Sequence, residues 1–185
     1  MYVCTLHVVW ALIMKIRQER EDDFQEVQSL VKRAFLSAKH SDGNEQDLVK
    51  KLRKSSAFVE QLSLVCEDDG RICGYILFTK NRIGSEIGLT LAPVAVEPKL
   101  QKRGLGRLLI KRGLQIAKTM GFNFVCVLGD SEYYSRFGFK KASFWKIYPP
   151  FEVEDKNFMA LSLDDSEEYL DATLEYPKEF NIKNK

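Results

Sequence analysis

The stretch that most limits the fold runs from residue 87 to residue 120. An apolar segment, 87–96, leads into Gln101-Lys102-Arg103-Gly104-Leu105-Gly106, and an amphipathic helical pattern follows over 104–120. Leu105, Leu108, Leu109, Ile116 and Met120 recur on one side of that helix, and Gly121 supplies its stop. The apolar segment is long enough for a central strand, yet it contains Pro93. Proline cannot donate to a ladder, so the pattern predicts a β-bulge there.

The loop carries chemistry of its own. Two glycines let a ligand approach the backbone closely. The first N–H groups of the helix lack internal partners and sit at the positive end of its dipole. Lys102, Arg103 and Arg107 add charge. Together they make a pyrophosphate cradle, although a glycine turn with a solvated basic helix face fits the loop alone equally well. The dinucleotide fingerprint is excluded, because its third glycine falls at Leu109. No Gly-Lys-Ser/Thr follows, which excludes a P-loop.

The rest of the chain reads as one mixed α/β domain over 14–185. Residues 15–18 form a short strand. Asp22 or Asp23 caps a helix with Phe24, Val27, Leu30, Val31, Ala34 and Phe35 at helical spacing. Residues 37–44 are a polar loop, and 46–53 are a shorter helix. Asp68-Asp69-Gly70 joins strands at 62–67 and 72–79 in a hairpin. Residues 81–85 are expected to be loop. The apolar run 122–128 is a strand buried on both faces. A short helix at 131–137 ends at Gly138, and strands are expected at 139–141 and 157–163. The tail from Tyr176 is expected to be loosely held.

Composition narrows the function classes. The 185 residues hold 28 Lys+Arg against 26 Asp+Glu, a net charge of +2, too balanced for wholesale nucleic-acid binding. Charge is local instead: 99–112 carries six basic residues and no acid, which suits a small phosphorylated ligand. Cys4, Cys66, Cys73 and Cys126 show no C-x-x-C spacing and fit a reduced, cytoplasmic setting. With His7 and His40 the only histidines, neither a metal site nor a histidine-centred mechanism is expected. The apolar run 1–13 is too short to span a bilayer and lacks a signal-peptide pattern, so no membrane role is expected. Met14-Lys15-Ile16-Arg17 reads as a natural start, so 1–13 is expected to be an extension outside the native protein, with an extra strand or a docked arm as the alternative.

The run Leu91-Ala92-Pro93-Val94-Ala95-Val96-x-Pro98, followed by Gln101-x-x-Gly104-x-Gly106 and Tyr134-x-x-x-Gly138-Phe139, resembles the acyl-CoA-binding core of the GNAT superfamily of N-acetyltransferases. The likeness covers about 14–163 and favours a small, mostly uncharacterised bacterial branch. It implies the acyl-CoA N-acyltransferase fold, a mixed and mostly antiparallel sheet flanked by helices. It also implies that the bulged strand splays from the next one and that acetyl-CoA lies in the gap as cosubstrate, without a metal. Val94, Ala95 and Val96 would pair with its pantetheine arm. Gln101, Lys102, Arg103, Gly104, Leu105, Gly106 and Arg107 would hold its pyrophosphate. A backbone N–H near Val94 would polarise the thioester carbonyl.

The same resemblance makes Tyr134 the proton donor to the departing thiolate. An aromatic packing role is the alternative. Tyr133, its neighbour on a helix, is expected to point about a quarter-turn away. No general base is assignable: Glu86 is the first to test, Asp130 reads better as a helix cap, and His40 as a surface histidine. The implied activity is acetyl transfer to a primary amine of a small molecule or protein by direct attack in a ternary complex. A non-catalytic acyl-CoA-binding or partner-binding module on the same fold is the alternative. A homodimer is left open. The loops at 37–44 and 81–86 are expected to shape the acceptor pocket.

Overall fold

The computed structural model describes residues 14–36, 43–164 and 169–182. The 1–13 extension, His40 and most of the 37–44 loop lie outside the described residues. The strands are β1 (Lys15–Gln18), β2 (Phe58–Asp68), β3 (Arg71–Ile83), β4 (Glu86–Val96), β5 (Phe124–Leu128), β6 (Lys140–Lys141), β7 (Ile147–Tyr148), β8 (Phe158–Ser162) and β9 (Ala172–Glu175). The helices are α1 (Phe24–Phe35), α2 (Glu45–Leu52), α3 (Leu105–Thr119) and α4 (Ser131–Tyr134).

The sheet runs β1-β2-β3-β4-β5-β8-β6, with β9 beside the end of β3 and β7 beside β9. Every pair along the main path is antiparallel except β4–β5. This is the expected mixed, mostly antiparallel sheet. Asp69 and Gly70, with φ of 47° and 75°, make the two-residue turn that fixes the β2–β3 register.

Alternation along β3 sorts the core into two faces. Ile76 and Phe78 pack with Leu105, Leu109 and Ile110 of α3. Tyr75 and Leu77 point the other way, onto Val27, Leu30 and Val31 of α1 and Val49 and Leu52 of α2. A third cluster continues that second face to the right, with Ile83, Phe124, Cys126, Trp145, Phe158 and Leu174. Each fully buried Leu or Val contributes roughly 1.5–3 kcal/mol of burial free energy, which is why the apolar spacing of α1 and α3 fixes where they dock.

Three expectations need correction. β3 does not stop at Thr79: it continues to Ile83, and only Gly84 and Ser85 remain as a turn. Lys80 and Arg82 are exposed while Asn81 and Ile83 are buried, so the segment alternates as a strand should. The tail is not loose as far as Phe180, since Tyr176 and Phe180 pack on two of the apolar clusters. β7 and β9 lie in stretches where no strand is expected.

Candidate active site

The Pro93 bulge is present. Leu91 lies opposite Phe78 and Val94 opposite Ile76, so two β4 residues intervene against one on β3. Beyond this point β4 has lost β5. The two strands pair only at Leu89–Val125 and Thr90–Cys126, and β4 runs six residues further unpaired on that side. The sheet therefore forks after Thr90.

The backbone of the free arm has a definite polarity. The Glu97 N–H donates to the Cys73 carbonyl at 2.9 Å. Ladder groups alternate in direction, so Ala95 also faces β3, where it is paired with Tyr75, while Val94 and Val96 turn their polar groups toward the fork. The Val96 carbonyl there accepts from Gln101 Nε2 at 3.2 Å, which ties the glycine loop to the strand.

A cleft of about 820 Å³ opens from the fork to the start of α3. Val94, Val96, Gln101, Lys102, Gly104, Leu105, Gly106, Arg107 and Tyr134 line it, as do Leu100, Tyr133, Arg136 and Phe137. Ala95 and Arg103 do not. The Ala95 methyl is buried on the α1–α2 face, and Arg103 is exposed outside the cleft.

The mouth of the cleft is a helix start. Gly104 has φ +93°, a conformation that side chains rarely adopt. The Leu108 N–H bonds to the Gly104 carbonyl at 3.0 Å. The preceding Leu105, Gly106 and Arg107 amides have no intrahelical acceptor, and among the described residues no side chain caps the helix. A Cβ on Gly106 would meet the Tyr133 hydroxyl at 2.9 Å, with Val96 and Val94 at 3.8 and 3.9 Å. Its missing side chain keeps the cleft open where the amides are bare.

α4 forms the opposite wall. Asp130 caps it by accepting the Glu132 N–H at 2.8 Å, as its position before a short helix suggests. A 3₁₀ turn, Ser135–Phe137, follows directly, and Tyr133 and Tyr134 both line the cleft. Their rings meet edge to face at 5.1 Å. A Cβ on Gly129 would fall 2.4 Å from the Tyr134 ring, so that glycine makes room for it. Burial, then neighbouring Tyr133 and Asp130, hold the Tyr134 phenol well above its ordinary value. The Tyr133 phenol is also raised by burial, and Arg136 opposes the shift. Both hydroxyls keep their protons at neutral pH.

Glu86 is misplaced for a base. It is exposed at the β3–β4 turn, eight residues before Val94, or roughly 25 Å along a strand.

Comparison with known proteins fits this arrangement. The Acetyltransferase (GNAT) family model matches residues 16–139. The chain belongs to the GNAT acetyltransferase family. It is 33% identical over 174 residues to the uncharacterized N-acetyltransferase YhbS of Escherichia coli K12, covering 91% of this chain and 99% of the relative. A second relative in that organism, the uncharacterized N-acetyltransferase YjhQ, is 34% identical over 142 residues, covering 74% and 76%. The crystal structure of Escherichia coli YhbS in complex with CoA superposes with a TM-score of 0.82 at 31% identity, over 91% of this chain and 92% of that one. A GNAT acetyltransferase from Brucella melitensis in complex with acetyl-CoA gives 0.76 at 31% identity, over 90% and 97%. The chain is thus an N-acetyltransferase by family. Among the described residues, no helix is long and apolar enough to cross a membrane.

Proposed function

We propose that the protein transfers the acetyl group of acetyl-CoA to a primary amine, by direct attack of the amine in a ternary complex. The observation that carries this reading is the fork after Thr90 with the bare α3 amides at its mouth. The fit to the cosubstrate is local and steric: Gly106 leaves a cradle that a single Cβ would fill. Lys102 and Arg107 put positive charge beside it. The CoA and acetyl-CoA complexes of the two relatives support the same ligand here.

Acetyl-CoA supplies an activated thioester. The chain supplies positioning and polarisation. The amides of Leu105, Gly106 and Arg107 hold the pyrophosphate. Val94 and Val96 offer backbone groups to an extended arm, as an added strand would. The Val94 N–H is the donor for the carbonyl oxygen as it gains charge. Tyr134, protonated at neutral pH, holds a proton for the departing sulfur. The buried free thiols Cys66, Cys73 and Cys126 suit a reducing, cytoplasmic setting.

The test is release of CoA thiol from acetyl-CoA with a panel of small amines and peptides, alongside thermal melts with acetyl-CoA, NAD and ATP. Amine-dependent thiol release supports the reading. Acetyl-CoA binding without turnover of any amine would leave the non-catalytic module instead. Stabilisation by NAD or ATP and not by acetyl-CoA would remove the cosubstrate.

A further inference from the structure

Sulfur atoms from β2, β3 and the residue before β1 converge behind the cleft. Cys66 Sγ lies 3.8 Å from Met14 Sδ, and Cys73 Sγ lies 3.7 Å from the same atom. The two thiols also interact with each other, which lowers Cys66 and raises Cys73. None of these residues lines the acetyl-CoA cleft. A backbone contact links them to it: the Cys73 carbonyl accepts the Glu97 N–H, just past the free arm of β4.

An irregularity in the sheet gathers the sulfurs. Cys66 is paired with Gly74 and Glu67 with Ile72, so Cys73 is the extra residue of a β-bulge. Strict alternation would send Cys73 and Gly74 to opposite faces. The bulge turns both toward α3. Cys73 joins Cys66 in the α3 cluster, and a Cβ on Gly74 would meet Leu109 Cδ1 at 2.9 Å and Cys66 Cβ at 3.2 Å. Gly74 thus leaves Cys66 its space. Cys66 and Cys73 are 0% and 4% exposed. Half-buried Met14 covers them from the start of β1, a four-residue edge strand.

The donor set selects the ligand. Thiols and a thioether are soft donors, which favour Cu(I) over harder divalent ions. Structural zinc takes four ligands in a tetrahedron, and among the described residues no three of His, Cys, Asp and Glu come together to supply them. An ion ~2.3 Å from three sulfurs, and in their plane, sets those sulfurs ~4 Å apart. The separations of 3.7 and 3.8 Å from Met14 come close to that spacing.

We propose that Met14, Cys66 and Cys73 form a three-coordinate site for a soft monovalent metal ion, Cu(I). This is independent of the acetyl-transfer reading above. Each thiol loses its proton as its sulfur bonds the ion, and the Met14 thioether donates a lone pair. Two protons leave per ion, and no electron is transferred. Asp68 works against both thiolates, and the cation offsets its field. The bound ion ties the start of β1 to β2 and β3, so loading stabilises the folded chain.

The experiment titrates the full, reduced chain with Cu(I) under anaerobic conditions. Ascorbate holds the oxidation state, and bicinchoninate competes for the ion. The wild type should take one ion per chain from the chelator, show the ultraviolet band of a copper thiolate, and melt higher when loaded. Cys66→Ser and Cys73→Ser should each lose the ion. Met14→Leu keeps the volume and removes the sulfur. It should weaken binding about 10-fold or more while the metal-free Tm holds, a combination that a methionine used only for packing would not give. Cys126→Ser and Cys4→Ser should bind as wild type does. If a variant at Cys66 or Cys73 fails to fold, Met14→Leu decides.

A wild type that takes no ion from the chelator overturns the proposal. So does unchanged affinity in Met14→Leu, loss of the ion in Cys126→Ser or Cys4→Ser, or Zn(II) bound as tightly as Cu(I).

Discussion

The Tyr133 hydroxyl lies 2.9 Å from where a Cβ on Gly106 would stand. The tyrosine thus closes over the start of α3, where Leu105, Gly106 and Arg107 amides have no helical acceptor. Gly106→Val should fill that space and abolish stabilisation by acetyl-CoA. The ligand-free melt should change little, since Gly106 is a helical residue without a positive φ. Gly104→Val is a different experiment. Nothing lies within 4 Å of a Cβ there, but φ is +93°, so the variant should lower the ligand-free Tm. Retained acetyl-CoA stabilisation in Gly106→Val would place the pyrophosphate elsewhere.

Acetyl-CoA itself should raise Tm. At ~100-fold excess over Kd, linkage contributes about 2.7 kcal/mol. For a chain of this size, that is roughly 5–10 °C. A scanning calorimetry series against acetyl-CoA concentration checks it, and a flat series would remove the ligand.

Acid sensitivity should concentrate at the β1–α1 corner. Arg17 bonds Asp23 at 2.6 and 2.9 Å, and Asp23 also accepts the Arg20 N–H at 2.7 Å. The Arg17 guanidinium, more than any other group, holds the Asp23 carboxyl below the usual carboxylate range. A lowered folded pKa means stability that is present above the unfolded value, near ~3.9, and lost as pH falls through the folded one. The two side chains are 15% and 11% exposed, so the pair lies between surface and core. Asp23→Asn should cost about 1–3 kcal/mol at pH 7. The gap from wild type should close below about pH 4. Urea melts at pH 7 and pH 3 measure it, and an equal gap at both would assign the loss to packing.

The glycine loop and the start of α3 were legible because their signals are local: two glycines, basic residues and a strong apolar period in α3. The bulge was legible for the same reason, since Pro93 has no N–H wherever it sits. The end of β3 was not. Lys80-Asn81-Arg82 is polar, and Asn81 becomes strand-like only when Thr90 arrives from β4 to bond it. β9 was hidden because of its four residues only Leu174 is buried, and its pairing depends on Arg82 and Ile83 of distant β3. Tyr133 was misjudged because a quarter-turn on a helix was expected to take it away from Tyr134. α4 is four residues long and lies along the cleft wall, so side chains a quarter-turn apart both border the same opening.

That geometry changes how Tyr134 must be tested. Tyr134→Phe removes only the hydroxyl and keeps the ring, which packs edge to face on Phe139 at 5.7 Å and over Gly129. Stability and acetyl-CoA affinity should therefore hold. If the hydroxyl protonates the departing thiolate, kcat should fall ~10²–10⁴-fold. Tyr133→Phe is not an inert control, because its hydroxyl overlies Gly106. It should act on acetyl-CoA KM more than on kcat, since its place is at the cradle. Phe137→Leu is the better packing control, as it touches both tyrosine rings and has no polar atom. Steady-state kinetics with a turning-over amine, plus calorimetric titration of CoA, separate these roles. Equal kcat in wild type and Tyr134→Phe would leave Tyr134 a wall of the cleft. A comparable kcat loss in Phe137→Leu would mean that the position of the α4 turn, and not a proton, limits the rate.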